Sequence, residues 1–204
     1  MCKTLKGAVM KFLGMSLIMF GIASATYADP VGEDAAKKML FSTKGYSIQV
    51  SSKLTEAEQT AIRQLVPLMG KQLREPVRYY AAIAYSPGDG LVHESIQAAM
   101  NHHTTQAASN AAIAACNKLR SKGTPKCQVA AVVVPKKYKK RELSLSIDAT
   151  AAFNKSFKKA KGPKVFAISP STGVFAHDAS ESKALNDCNA NASGVDDCEI
   201  VIQE

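Results

Sequence analysis

The chain has 204 residues, 46% of them hydrophobic and 21% charged, and a formal net charge of +9. That length bounds it at one domain or two small related halves, long enough to bury a core. The apolar run over residues 12–22 is about half of the roughly 20 residues a membrane span needs, which argues against a spanning anchor there.

Lys3, Lys6 and Lys11 precede or open that run, and Ala23-Ser24-Ala25-Thr26-Tyr27-Ala28 follows it. This order predicts a secretory signal peptide over residues 1–28, cleaved after Ala28 or Ala25, with Met10 as an alternative initiator. Taking its three lysines from the 26 basic residues leaves 23 against 17 acidic ones, a net charge of +6. The surplus is local. Residues 136–164 hold ten basic residues against Glu142 and Asp148, whereas residues 171–204 hold seven acids and Lys183 alone. Such a split suits an anionic partner or head-to-tail self-association.

After the leader, residues 33–41 read as a short helix, Gly45 breaks it, and residues 46–50 alternate like a brief strand. Thr55 and Glu58 make a capping-box pattern ahead of Ile62, Leu65, Val66 and Met69, which share one helical face. Pro67 inside that run predicts a kink or a shorter helix, and Pro76 closes the segment. Residues 77–85 read as a strand, 86–90 as a turn, and 91–96 as the antiparallel partner strand. A helix is expected over 107–119, ended by Gly123-Thr124-Pro125. The apolar run 127–134 has the pattern of a central strand. Residues 135–140 form a basic loop, 142–148 alternate as a strand, and 149–161 should be helical.

From Lys164 onward the same order recurs. Tyr85-Ser86-Pro87 answers to Ile168-Ser169-Pro170, Cys116-Asn117 to Cys188-Asn189, and Cys127-Gln128-Val129 to Cys198-Glu199-Ile200. The predicted fold class is therefore α+β: a mostly antiparallel sheet with packed helices, built from two related strand-hairpin-helix-strand units. The divisions are a leader (1–28), an N-terminal helical extension (29–78), a first unit (79–134), a basic linker with a strand and a helix (135–163), and a second unit (164–204). Export leaves four cysteines, which allow three pairings. The repeat selects Cys116 with Cys127 and Cys188 with Cys198. Each bridge would pin a helix end to the following strand and stabilise by roughly 3 kcal/mol. Zinc is the rival reading, but no short C-x-x-C element is present.

The run Ala82-Ile83-Ala84-Tyr85-Ser86-Pro87, an alanine-rich helix ending at Cys116, and Cys127-Gln128-Val129-Ala130 together resemble the domain of unknown function 4189 family of small exported bacterial proteins. The resemblance covers residues 79–134 best and 165–202 more weakly. It implies a secreted, disulfide-containing module and brings no catalytic residues with it.

Two segments stand out as contact candidates. One is the basic run Lys136, Lys137, Tyr138, Lys139, Lys140 and Arg141, suited to an anionic envelope component or an acidic protein face. The other is an insertion in the first unit at about residues 96–106, where extra loop on a rigid scaffold often binds. It carries His102 and His103, with His93 nearby. The three histidines are candidate metal ligands, although adjacent histidines seldom hold one ion together. Ser86 and Ser169 lack a nucleophile elbow. Asp187, Asp196 and Asp197 read as a polar loop around the second cysteine pair. No Walker loop or dinucleotide fingerprint appears, so no cofactor is expected.

The expected function is a non-catalytic, exported binding module for an unknown protein or anionic envelope component. Nucleic acid is not the expected ligand, and the mature chain is expected to lack a membrane span. The alternatives are a small secreted hydrolase of envelope material, with His93, His102, His103 or His177 as base, and histidine-based metal binding.

Overall fold

A computed structural model describes residues 29–74 and 77–204. The predicted leader, with its cleavage sites and Met10, and the helix stop at Pro76 lie outside those residues. The chain is α+β with two antiparallel sheets. In order, it runs α1 (Glu33–Met39), β1 (Tyr46–Val50), α2 (Glu56–Leu73), β2 (Ala81–Tyr85), β3 (Gln97–Ala99), α3 (Thr105–Leu119), β4 (Gln128–Pro135), α4 (Ile147–Lys155), β5 (Val165–Ile168), β6 (Phe175–Asp178), α5 (Glu181–Asn191) and β7 (Glu199–Gln203). A 3₁₀ turn, Phe157–Lys159, follows α4.

Strand order is β1-β4-β2-β3 in the first sheet and β6-β5-β7 in the second. The alternation of β2 divides the first core. Ala81, Ile83 and Tyr85 pack with Ile62 and Val66 of α2. Ala82 and Ala84, on the opposite face, meet Ala108 and Ala112 of α3, where small side chains let helix and sheet approach closely. In the second sheet Val165 and Ala167 face Ala184 of α5. Phe166 and Ile168 face Ala149, Phe153 and Phe157, with Ala36 of α1 in the same cluster.

The two sheets agree in detail. Each has a register shift in its middle strand, at Ile83/Ala84 and at Phe166/Ala167. Both predicted disulfides are present, Cys116–Cys127 and Cys188–Cys198. Beside each, an asparagine side chain accepts the backbone N–H of the second cysteine at 3.0 Å: Asn117 for Cys127 and Asn189 for Cys198. That carbonyl oxygen satisfies a donor at the strand entrance which has no ladder partner.

The capping box at Thr55 and Glu58 forms as its spacing dictates. Helix α2 nevertheless runs through Pro67 without stopping. Proline there removes one internal hydrogen bond, and Val66, packed on β2, lies beside it. Burial of the apolar face outweighs the lost bond.

Three expectations about strands and helices change. Residues 91–96 are not a strand, and the partner of β2 is β3, which begins at Gln97. Local bonds claim the intervening backbone: Ser86 O accepts from Asp89 and Gly90, and His93 O accepts from Ile96. Side-chain and turn bonds of this kind compete with a ladder. Counted from the pairs Ala84↔Gln97 and Ala167↔Ala176, four of the eleven extra residues lie before the second strand and seven between it and Cys116.

Residues 142–148 do not pair as a strand either. Leu143 and Leu145 are buried as their alternation suggests. Yet the Ser146 N–H goes to the His103 ring and the Ile147 N–H to the Tyr79 carbonyl. The helix expected over 149–161 begins earlier, because Ser146 caps it through Ala149 N–H, and gives way to the 3₁₀ turn after Lys155.

Candidate functional site

Thr104 sits in extended conformation, and its hydroxyl accepts the Ala107 N–H at 3.0 Å, which starts α3. The first turns of α3 form one wall of a cleft of about 840 Å³. The turn at Pro170 and Ser171 forms a second wall, and Tyr138, Lys140, Arg141 and Ser144 close the third side. A smaller pocket of about 240 Å³ shares Thr104, Lys140, Arg141 and Ser144 with it and reaches Ile168 and Val201 of the second sheet. The cleft thus lies between α3, the 138–144 segment and the loops that hold Pro170, Ser171 and Asp197, and the smaller pocket joins it to the second sheet. The basic segment and the end of the 96–106 segment both line it.

The basic residues divide by role. Arg141 donates through Nη1 to the carbonyls of Met39, Lys38 and Leu40, the last at 3.3 Å, and its guanidinium lies 3.9 Å from the Phe41 ring centroid. It caps the C-terminus of α1, where cations meet unpaired carbonyls. Tyr138 packs against Tyr80 and Phe41, with ring centroids 5.6 and 5.8 Å away, so its ring is part of an aromatic cluster. Lys136 runs across Gly45, where an added Cβ would lie 2.7 Å from its Cε. Lys137, Lys139 and Lys140 are exposed, and Lys140 reaches the cleft.

Residues 101–103 serve as a tether. Asn101, with φ of 62°, donates to the Asp148 carboxylate at 2.9 Å at the start of α4. His103 is fully buried. Its Nδ1 accepts the Ser146 N–H at 3.0 Å, so Nε2 carries the proton and donates to the Val174 carbonyl at 2.9 Å. Burial lowers its pKa to about 4 against the opposing pull of that carbonyl, so the ring is neutral at physiological pH. With both nitrogens committed, His103 has no lone pair for a metal or a substrate proton.

The other histidines are dispersed in role. Burial also lowers the His102 pKa, while backbone groups of Thr172 and Ser171 oppose the shift. His93 accepts the Ser95 N–H at 3.1 Å and lies 3.8 Å from Asp89. His177 stacks on Phe166, and its Nε2 lies 2.9 Å from Ser156 Oγ. That hydroxyl donates to the Ala152 carbonyl at 2.8 Å, so the ring donates to the serine. This is the reverse of a base activating a nucleophile. Among the described residues no group of three His, Cys, Asp or Glu is placed to hold a metal ion.

Two acids next to the second disulfide are set apart. Asp197 lines the cleft and accepts from Ser169 Oγ at 2.5 Å and Ser171 N–H at 3.0 Å. Partial burial pushes its pKa up, but these bonds outweigh it and hold the carboxyl below its ordinary value. Glu199 goes the other way. Burial, then the Asp197 charge, pushes its pKa up to about 7, and its Oε1 is buried without a partner. In the first sheet the matching residue, Gln128, donates to the Tyr85 hydroxyl at 2.7 Å. The residue matching Tyr85 is Ile168, which offers no hydrogen bond. Glu199 is not a residue the sequence marks, and only the comparison of Tyr85 with Ile168 hints at it. Thr104, Thr105, Ser144 and Ser171 carry no spacing signal at all.

Ser86 and Ser169 both brace their turns: Ser86 through Thr124 at 3.2 Å, Ser169 through Asp197. Asp187 pairs with Lys183 at 2.8 Å on the surface of α5. Comparison with protein-family models, curated proteins and solved structures found no match.

Proposed function

We propose that this protein is an exported, disulfide-stapled binding module without catalytic activity, and that its ligand is an anionic component of the cell envelope held at the cleft beside the α3 N-terminus. The observation that carries this reading is the convergence of Lys140 with the α3 N-terminus on one ligand-sized cavity. Concave sites of about 300–1,000 Å³ at the junction of two packed units are where ligands commonly bind. Lys137 and Lys139, exposed on the same loop, add positive potential near its rim.

Two disulfides, and a described chain in which no helix is long and apolar enough to cross a membrane, support export. The shared register shifts and asparagine bonds support two related units, whereas membership of the domain of unknown function 4189 family rests on the sequence motifs of residues 79–134. The non-catalytic part rests on the histidines, because His103 and His177 are bonded in ways that leave no base facing a nucleophile.

The test is binding of the mature chain to carboxymethyl dextran and to uncharged dextran. Neutralising Lys137, Lys139 and Lys140 together to glutamine should abolish retention on carboxymethyl dextran at moderate salt while leaving the thermal midpoint unchanged. Equal retention of the triple variant would remove the basic loop from the site.

A further inference from the structure

We propose that the ligand of the cleft is an acidic oligosaccharide, a chain of hydroxyl-rich rings bearing isolated carboxylates rather than a densely charged polyanion. This rests on the cleft being the binding site.

The charge count inside the cavity points this way. Arg141 spends its Nη1 on the carbonyls of α1. Asp197 is an anion with both oxygens engaged. Lys140 is the other cation among the lining residues, and Arg141 keeps its positive charge beside it. Polyphosphates and polysulfates are held by several cations at once, often with arginine forks on each group. With Lys140 and Arg141 set against Asp197, the lining holds two cations and one anion, too few for a densely charged chain and suited to isolated carboxylates.

The rest of the lining fits sugar. Thr104, Thr105, Ser144 and Ser171 supply hydroxyls that both donate and accept, as sugar hydroxyls require. Between them runs a strip of small side chains, Ala107, Ala111 and Ala114, four and then three residues apart on α3, flanked by Gln106 and Asn110, whose side chains bond each other at 2.8 Å. A pyranose ring offers the complement, a flat C–H face with hydroxyls around its edge. The strip buries the face, and the hydroxyls keep the rim satisfied.

The experiment is calorimetric titration of the mature protein with three probes: tetragalacturonate, uncharged maltotetraose and inorganic polyphosphate. Two variants accompany it, Lys140→Met, which removes one cation, and Ala114→Trp, which fills the strip at an exposed position. Saturable tetragalacturonate binding at one site, weakened about tenfold by K140M and lost in A114W, would establish the proposal. Maltotetraose should bind more weakly than the acidic chain, and equal binding of the two would overturn the requirement for a carboxylate. Polyphosphate binding that K140M weakens, without saccharide binding, would overturn the saccharide and leave the anion cleft standing. Binding of any probe that neither variant alters, or no binding at all, would overturn both. Matching thermal midpoints for the two variants show that loss of binding is not loss of fold.

Discussion

His103 and Glu199 illustrate how much a single residue's setting matters in this chain. His103 is buried neutral, so the unfolded chain takes up its proton first as pH falls. Stability is therefore lost from about 6.5, its ordinary value, down to about 4, where the folded ring titrates. The loss is on the order of 3 kcal/mol. His102 and Asp197 are the ionisable neighbours, the first pushing the pKa down and the second up. Urea unfolding of wild type and His103→Gln at pH 7, 5.5 and 4 checks this: the variant should be less stable at pH 7 and should lack the acid slope.

Glu199 has the opposite sign. Its folded pKa is raised, so the folded chain binds more protons than the unfolded one between about 4.5 and 7. Glu199→Gln should be more stable than wild type at and above pH 7, an advantage that fades as pH falls toward 4.5. A constant difference across that range would show that Glu199 is not strained. Arg141 and Lys140 form a second contrast. Arg141→Ala should lower stability by about 1–2 kcal/mol through the lost helix cap, whereas Lys140→Ala should leave unfolding unchanged and reduce binding.

At the scale of elements, the turn before β6 is the tightest joint. A Cβ on Gly173 would lie 1.9 Å from the Asn101 carbonyl oxygen, which belongs to backbone and has no rotamer by which to escape. Gly173→Ala should therefore cost at least 1–3 kcal/mol, visible as a lower thermal midpoint, and should loosen the neighbouring cleft. Residues 91–96 show why local pattern misleads: they alternate well enough for a strand, but Ser86 and His93 accept from nearby backbone N–H groups and fold the segment into successive turns. Residues 142–148 show the converse. Their alternation is obeyed in burial, yet no neighbouring strand takes up their hydrogen bonds. The strand 46–50, the capped helix after Thr55 and the alanine helix ending at Cys116 were legible because each carries its own signal: alternation, a capping box, a small-residue face.

For the whole molecule, stability depends on staples and on ties between sheets. Each disulfide closes a short loop, with sequence separations of 11 and 10 residues. Replacing either pair by alanine should cost roughly 3 kcal/mol by the chain-entropy model, and chemical denaturation of the two double variants measures it. Lys164 adds a tie of another kind. It is buried, bonds Glu33 of α1 at 2.7 Å and donates to the Ala160 carbonyl at 2.9 Å, holding the N-terminal helix to the second sheet. Any ligand that fills the cleft binds the folded chain alone and should raise its thermal midpoint.

By itself, the sequence determined the α+β class, the order of the second unit and both cysteine pairings, since these follow from periodicity and spacing along one stretch of chain. Tertiary structure alone decided which candidate residues stay available. Arg141 and Tyr138 look like ligand contacts in a basic run, and His103 like a metal ligand. Yet each is claimed by a partner distant in sequence: the α1 carbonyls, Tyr80 and Phe41, and Ser146 with Val174. The cleft has the same origin. Its walls come from residues 104–114, 138–144, 170–171 and 197, which no local pattern relates. They meet because Asn101 and His103 tie the end of the first sheet's chain to the start of α4 and to the turn before β6.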